Sequence, residues 1–484
     1  MNRTSTSRGV AWVRLVAGVA LIGLLCNASA WAEDPATTTT TTHHRRHHHV
    51  VTTTTTTSAG PDEEQRLNAL SGEVRNLQAQ TNDNTAETKK IESELVVAQP
   101  GPDGKPVTIG QHVGLAETNI TSIQKNLTDN LGVSIHALVD AGYEHNFNQP
   151  IGNANVIRVF DEDGFQLTQG NLHIERDGTV GFVTDLNFGQ VANTISAATR
   201  YSNIAKVGPQ WFDPTQYYLT YTAPVGSGIN FQAGRFVTLL GAETINTYNN
   251  QNFNESKSII FGFGIPFTHT GIRANYTFND YFSATAGLNN GWDDPADGNN
   301  NGPNYEGELT FNTKDKSLSL VINGIYGPNF FGPTASAGHS NTNLGAVDPI
   351  VTWKPSFIPN LTLQTEYLYA SQTGPIANGH SASWQGLAQY LVYDWTPSLE
   401  SATRGEFFQD KDGARTGSAQ TLWEITQTLS YKIPEVTGLL ARLEYRHDNS
   451  SQNVFTNNNF VSPATGQHLW HGQDTLAANI IYAF

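Results

Sequence analysis

Beyond Leu131 apolar and polar positions alternate with a period of two. Val133, Ile135, Ala137, Val139, Ala141 and Tyr143 fall in one phase, and Ser134, His136, Leu138, Asp140, Gly142 and Glu144 in the other. Alternation of this kind predicts a strand with one apolar face. In water that face covers a core, whereas in a transmembrane barrel it meets lipid and the polar face lines a lumen. One strand does not separate the two cases, but the connections do. Sixteen candidate strands are joined by short links at Asp177–Thr179, Pro224–Gly228, Asn279–Asp280, Thr313–Asp315, Pro355–Pro359, Thr396–Ser398 and Lys432–Thr437. Between these lie longer polar stretches at about 147–164, 191–214, 237–267, 290–303, 327–346, 373–382, 410–419 and 448–472. Tight turns at one end and long loops at the other predict an all-β transmembrane barrel of sixteen antiparallel strands over 131–484. An even count returns both ends of the barrel to the short-turn, periplasmic side.

Three details refine this picture. Reading back from Phe484, positions Tyr482, Ile480, Ala478 and Leu476 form a wholly apolar face. A terminal Phe with Tyr482 two residues earlier is similar to the signal by which the barrel-assembly machinery recognises outer-membrane barrels. Between Gln166 and Ile174 the parity slips, with Phe165 and Leu167 in one phase and Leu172 and Ile174 in the other. A β-bulge near Gly170 reconciles them and leaves the facing of His173 and Glu175 open. Trp353, Trp395 and Tyr431 near the short turns, with Trp384 and Trp423 near the long loops, predict two interfacial girdles.

The N-terminal quarter reads differently. Arg3, Arg8 and Arg14 precede the apolar run Leu15–Leu25, and Ala30-Trp31-Ala32 is an A-x-A site, so residues 1–32 read as a signal peptide cleaved after Ala32. Residues 33–61 are a Thr/His-rich linker with five histidines between His43 and His49, too polar to bury a core. A solvated spacer and a metal- or pH-responsive tract are both open readings there. In 62–130, Leu67, Leu70, Val74, Leu77, Thr81, Asn84, Thr88, Ile91 and Leu95 recur at coiled-coil spacing, and Gly101–Pro106 breaks the helix. A second seam runs through Val113, Ala116, Ile120, Ile123 and Leu127. Such seams call for partners, so a periplasmic helical region and a homo-oligomer, a trimer in the simplest case, are expected; a lone amphipathic helix is the alternative.

Composition narrows the function. Net charge is −16, and −19 without the three arginines of residues 1–32; this acidic balance argues against nucleic acid as a partner. Those residues also hold the only cysteine, Cys26, so neither disulfides nor thiolate metal sites are expected in the exported chain. No P-loop, H-E-x-x-H, G-x-S-x-G or dinucleotide motif occurs, and no cofactor or metal is expected. Asp410-Lys-Asp-Gly413 lacks the later acidic ligand of a calcium loop and reads as a turn. Asp293, Asp294 and Asp297 form a second acidic loop, where divalent bridging to lipopolysaccharide is conceivable. His136 and Asp140 share a face but lie about 13 Å apart along a strand, too far to act as a catalytic pair, so the chain reads as no enzyme.

Strand parity places Asp140, Glu144, Asp185, Arg273, Glu306, Glu308, Glu366, Arg404, Glu406, Glu424, Arg442, Glu444 and Arg446 on the inner face as pore-lining candidates. Charge is tolerated there when it is wet or paired, and in a pore it sets selectivity. The acidic excess predicts a modest preference for cations, unless Arg235, Arg273, Arg442 and Arg446 gather at a constriction; a plugged barrel with purely structural pairs is the other possibility.

Four stretches carry a family resemblance: Gly234-Arg235-Phe236 with Gly241-Ala242-Glu243; Ile265-Pro-Phe-Thr-His-Thr-Gly271; Asn289-Asn-Gly-Trp-Asp293; and Arg404 to Gly417. Together they resemble the OmpL-like β-barrel porin family, although Arg235 stands where Lys is more usual and the Thr/His tract is foreign to it. The resemblance implies an outer-membrane diffusion channel in contact with lipid and lipopolysaccharide, passing ions and small polar solutes. A structural barrel tethered to the cell wall through its helical region is the competing expectation.

Overall fold

The computed structural model describes residues 131–484 except 151–154, 200–209, 296–301, 329–341, 378–379 and 459–467. Ahead of that range it describes 96–100, 106–108 and a few single positions. The signal peptide, the Thr/His tract and the Leu67–Leu95 seam lie outside the described residues. At the predicted helix break, Val96–Pro100 pairs antiparallel with Pro106–Thr108, so the chain there is extended instead of helical.

The C-terminal unit is a closed barrel of sixteen antiparallel strands. In chain order these are β1 (Val133–Asn146), β2 (Gly164–Arg176), β3 (Val180–Phe188), β4 (Phe212–Ala223), β5 (Ile229–Val237), β6 (Thr268–Asn279), β7 (Phe282–Asn289), β8 (Asn304–Asn312), β9 (Leu318–Pro328), β10 (Asn343–Trp353), β11 (Leu361–Ala377), β12 (His380–Asp394), β13 (Leu399–Asp410), β14 (Gln420–Lys432), β15 (Leu439–Ser450) and β16 (Gly472–Ala483). Each pairs with the next, and β16 closes on β1 through pairs such as Tyr482 with Val139 and Leu476 with His145. The final residue completes the seam: Phe484 N–H donates to Ala137 O, and Ala137 N–H donates to Phe484 O. Closure leaves no unpaired sheet edge, which hydrocarbon could not solvate.

Alternation decides which face meets lipid. Leu443, Tyr445, Leu476, Ile480 and Tyr482 are exposed, while Arg442, Glu444, Arg446, Thr475 and Asn479 between them are buried. Trp353, Trp395, Tyr431 and Trp423 are exposed as the girdle reading requires. Trp384 is not: it is 1% exposed, points inward, and its indole N–H donates to Gly264 O. The bulge falls at Thr168, two residues before Gly170: Asp140 pairs with Gln169 and Ala141 with Leu167. Its consequence is that His173 is inward and buried.

One predicted loop is largely strand. The polar stretch 373–382 belongs to a long β11–β12 hairpin, because a barrel wall can continue in water past the membrane, where outward residues no longer need to be apolar. The short turns hold as expected. At the β14–β15 turn Gly438 adopts φ 82°, and a Cβ there would lie 1.9 Å from Ala483 O, so only glycine lets the turn pass the end of β16.

Candidate pore and its inward-folded loop

The barrel is not an empty cylinder. The connection from β5 to β6, residues 238–267, folds into it and carries a π-helical turn at Ile260–Gly264. An irregular segment brings unpaired backbone N–H and C=O groups that need partners when buried. The wall supplies them with charged side chains. Glu444 accepts the N–H groups of Glu255 (2.6 Å) and Ser256 (2.9 Å). Glu406 accepts those of Ile259 (2.7 Å) and Ile260 (2.6 Å), and Asp348 accepts that of Gly241 (2.6 Å). Arginines take the carbonyls: Arg404 donates to Ser256 O (2.8 Å), Arg442 to Asn252 O (2.5 Å) and Arg446 to Lys257 O (2.6 Å).

Ion pairs tie the same groups together. Arg404 lies 2.7 Å from both Glu243 on the loop and Glu424 on the wall. Arg442 pairs with Glu255 at 3.2 Å, and Arg446 with Asp448 at 2.7 Å. Asn479 bridges Asp140 on β1 (3.1 Å) and Glu255 (2.8 Å). These charges are therefore neither bare nor simply facing water; most are committed to holding the loop.

The loop also seats on an apolar patch inside the barrel, which the parity argument does not anticipate. Ile259, Ile260 and Phe261 share a buried cluster with Leu368, Trp384, Tyr390, Phe408 and Leu422 of β11–β14. Burial of each large side chain contributes about 1.5–3 kcal/mol. Gly386 on β12 makes the fit: a Cβ there would come within 2.5 Å of Ile260 Cγ1.

Two further long loops fold inward. In the β1–β2 loop, Arg158 pairs with Glu144 (2.9 Å) and Asp161 (3.2 Å) and donates to Thr475 (2.6 Å). Phe160 from the same loop meets the rings of Phe261 and Phe267. The helix α1 (Gln190–Ala198), after β3, adds Val191 and Ile195 to this cluster.

The remaining candidates lie on β3 and β6–β11. Asp185 accepts bonds from Gln216 (2.5 Å) and Asn171 (3.2 Å) and lies 2.8 Å from His173 Nδ1. Arg273 donates to Gln232 (2.6 Å) and Val237 O (3.1 Å) and stacks 4.1 Å from the Phe236 ring. Glu306 accepts from Asn289 at 3.0 Å, and Glu308, half-buried, accepts from Thr310 at 3.3 Å. Glu366 is buried on β11 near Asp348 and Glu243. Of the four arginines that could have gathered, Arg442 and Arg446 share β15 whereas Arg235 pairs with Asp213 at 3.2 Å across the β4–β5 sector. A single arginine constriction does not form.

Asp410 and Asp293 of the two acidic loops act as structure, and Asp297 lies outside the described residues. Asp410 accepts N–H bonds from Ala414, Arg415 and Thr416, closing its turn. Asp293 is buried, not available to lipopolysaccharide, and accepts from Phe267 and Thr268. Burial raises its carboxyl above the ordinary aspartate value, against the opposing pull of those two N–H donors. Among the described residues no cluster of three or more His, Cys, Asp or Glu could hold a metal ion.

Sequence reasoning misses Arg158, Glu243, Glu255 and Asp348. A signal existed for Glu243, which lies in the first resemblance stretch; seen in place, all four stretches fasten the inward loop. Glu243 meets Arg404, Asp293 caps Phe267 and Thr268, Glu406 holds Ile259 and Ile260, and Arg415 donates to Phe263 O.

Among solved structures, the chain is similar in fold to OprB of Pseudomonas putida at 12% identity and TM-score 0.49, covering 76% of this chain and 97% of that one. It is similar also to the outer-membrane channel DcaP of Acinetobacter baumannii (10%, TM-score 0.48, 73% and 97%) and to an anion-selective porin from Comamonas acidovorans (10%, 0.47, 73% and 99%). None of the curated proteins matches it. The family described as "Putative beta-barrel porin-2, OmpL-like" matches residues 132–484, nearly three quarters of the chain and the whole barrel. With that match, a closed sixteen-strand barrel and an outward apolar band, the chain belongs to the OmpL-like porins and is an outer-membrane channel protein.

Proposed function

We propose that the protein is a diffusion channel for ions and small polar solutes, narrowed by residues 238–267 and modestly selective for cations. The observation that supports this most is the uneven placement of the loop. Its ion pairs and most of its backbone bonds go to the β10–β15 wall, and Asn246 and Tyr248 reach β1–β2, while the β6–β8 sector keeps half-buried polar side chains such as Glu308 and Asn275. Across β2–β8 the inner wall carries Glu175, Asp185, Glu306 and Glu308 against Arg273, while Arg235 and Asp213 are paired with each other. Fixed charge in a lumen acts over roughly 10 Å at 0.1 M salt, so preference is clear in dilute salt and fades in concentrated salt. Reversal potentials across a KCl gradient are expected to show K⁺ favoured, with Glu306→Gln/Glu308→Gln reducing the preference. Arg442→Gln/Arg446→Gln is expected to change it less, because those arginines are engaged with the loop. Anion preference in the parent, unmoved by the glutamate changes, contradicts the reading.

The outward apolar band supports contact with outer-membrane lipid and lipopolysaccharide, and Tyr482 and Phe484 support recognition by the barrel-assembly machinery. The seam from Leu67 to Leu95 supports a homo-oligomer, a trimer in the simplest case. Cross-linking the mature chain should give a ladder that is lost when residues 62–99 are deleted. A monomer with and without that segment rules the seam out.

A further inference from the structure

Between the loop and the wall lies a cavity of about 280 Å³, lined from β2 to β6 and by residues 244–250 of the loop. Its charges are segregated. At one end His173 sits between two carboxylates, its Nδ1 2.8 Å from Asp185 and its Nε2 3.3 Å from Glu175. At the other end stands Arg273. Among the charged groups that line the cavity, the β2–β3 end is acidic and the β6 end basic.

Each end also holds an unused valence of the opposite kind. Asn171 lines the cavity, is 3% exposed, and its Oδ1 accepts no hydrogen bond. Arg273 spends Nε on Gln232 and Nη1 on Val237 O, with Phe236 under its face, and among the described residues its Nη2 meets no acceptor. No carboxylate pairs with it within 4 Å among the described residues. The acidic end thus lacks a donor and the basic end an acceptor. An occupant that is wholly anionic or wholly cationic satisfies one end and opposes the other. A neutral dipolar one satisfies both.

We propose that this cavity is a subsite for small zwitterionic solutes, amino acids and short peptides, holding the ammonium at Glu175 and the carboxylate at Arg273. The proposal rests on the diffusion-channel reading and names the solute class that lingers in it. The backbones of β2 and β6 lie roughly 19 Å apart along the wall, and both Glu175 and Arg273 reach into the cavity between them, so the geometry suits a dipeptide, whose two charges are well separated. Asp185, already engaged by His173, Gln216 and Asn171, acts as a positioning residue for the acidic end.

The test is current through the purified barrel in a planar bilayer with alanyl-alanine as probe. N-acetyl-alanyl-alanine and alanyl-alaninamide each lack one charge. The zwitterion is expected to interrupt the K⁺ current, and each capped form to do so about tenfold more weakly, the size of one lost charge-assisted hydrogen bond. Arg273→Gln should erase the difference between alanyl-alanine and its amide, and Glu175→Gln the difference between alanyl-alanine and its acetyl form. Equal interruption by all three probes, or by parent and Arg273→Gln, overturns the subsite. Variants are compared only when boiled and unboiled samples migrate differently in SDS; if Arg273→Gln does not assemble, Glu175→Gln decides, and an unchanged difference between alanyl-alanine and its acetyl form overturns the subsite. Loss of all K⁺ current would instead indict the channel reading, and calorimetric titration with alanyl-alanine then decides the subsite, absence of binding heat refuting it.

Discussion

Replacing Arg404 by methionine is expected to lower the stability of the folded barrel by about 3–5 kcal/mol, the cost of leaving buried partners without their counter-charge. Arg404 is fully buried and lies 2.7 Å from both Glu243 and Glu424, with Ser256 O at 2.8 Å. Methionine preserves much of the volume but strands two carboxylates where water is scarce. Urea unfolding in lipid vesicles, followed by tryptophan fluorescence, measures the change. The triple variant Arg404→Met/Glu243→Gln/Glu424→Gln should recover most of it, since neutral amides do not need the guanidinium. A loss below about 1 kcal/mol, the scale of an exposed pair, would mean that the network is hydrated and does not hold the loop.

Much of the barrel is legible in the sequence because lipid imposes a one-sided rule. Leu443, Tyr445, Leu476 and Ile480 must be apolar, and their regular spacing fixes the phase of β15 and β16 without reference to what lies inside. The same rule fails where lipid is absent. Residues 373–377 and 380–382 are extended although Gly374 and Pro375 read as a loop, since a strand projecting into water carries no apolar face to announce it. Trp384 misleads for the converse reason: a tryptophan near a strand end suits a girdle, and only the loop seated beside it explains why it turns inward.

The inner face is legible in charge but not in purpose. Parity puts Glu406, Glu444, Arg442 and Arg446 inside. It cannot say that they bond to backbone of residues 252–260, because an irregular loop has no period to betray where it goes. Leu368, Phe408 and Leu422 carry the missing hint. Large apolar residues in the inward phase of three different strands have no role in a wet lumen, and together they mark a patch that something must cover.

The inward loop yields the second large effect. Removing residues 246–260 takes away the segment that fills the lumen beside β11–β15, and leaves the strands and their ladder untouched. The wall charges it covers then meet water, which solvates them. The shortened barrel should still shift on boiling in SDS, and its lumen should be wider. Single-channel conductance of the parent and this deletion in planar bilayers, in the same KCl solution, measures that width directly. The account predicts discrete steps from the parent and steps severalfold larger from the deletion. No steps from either barrel, or steps of equal size from both, would contradict a water-filled pore narrowed by this loop.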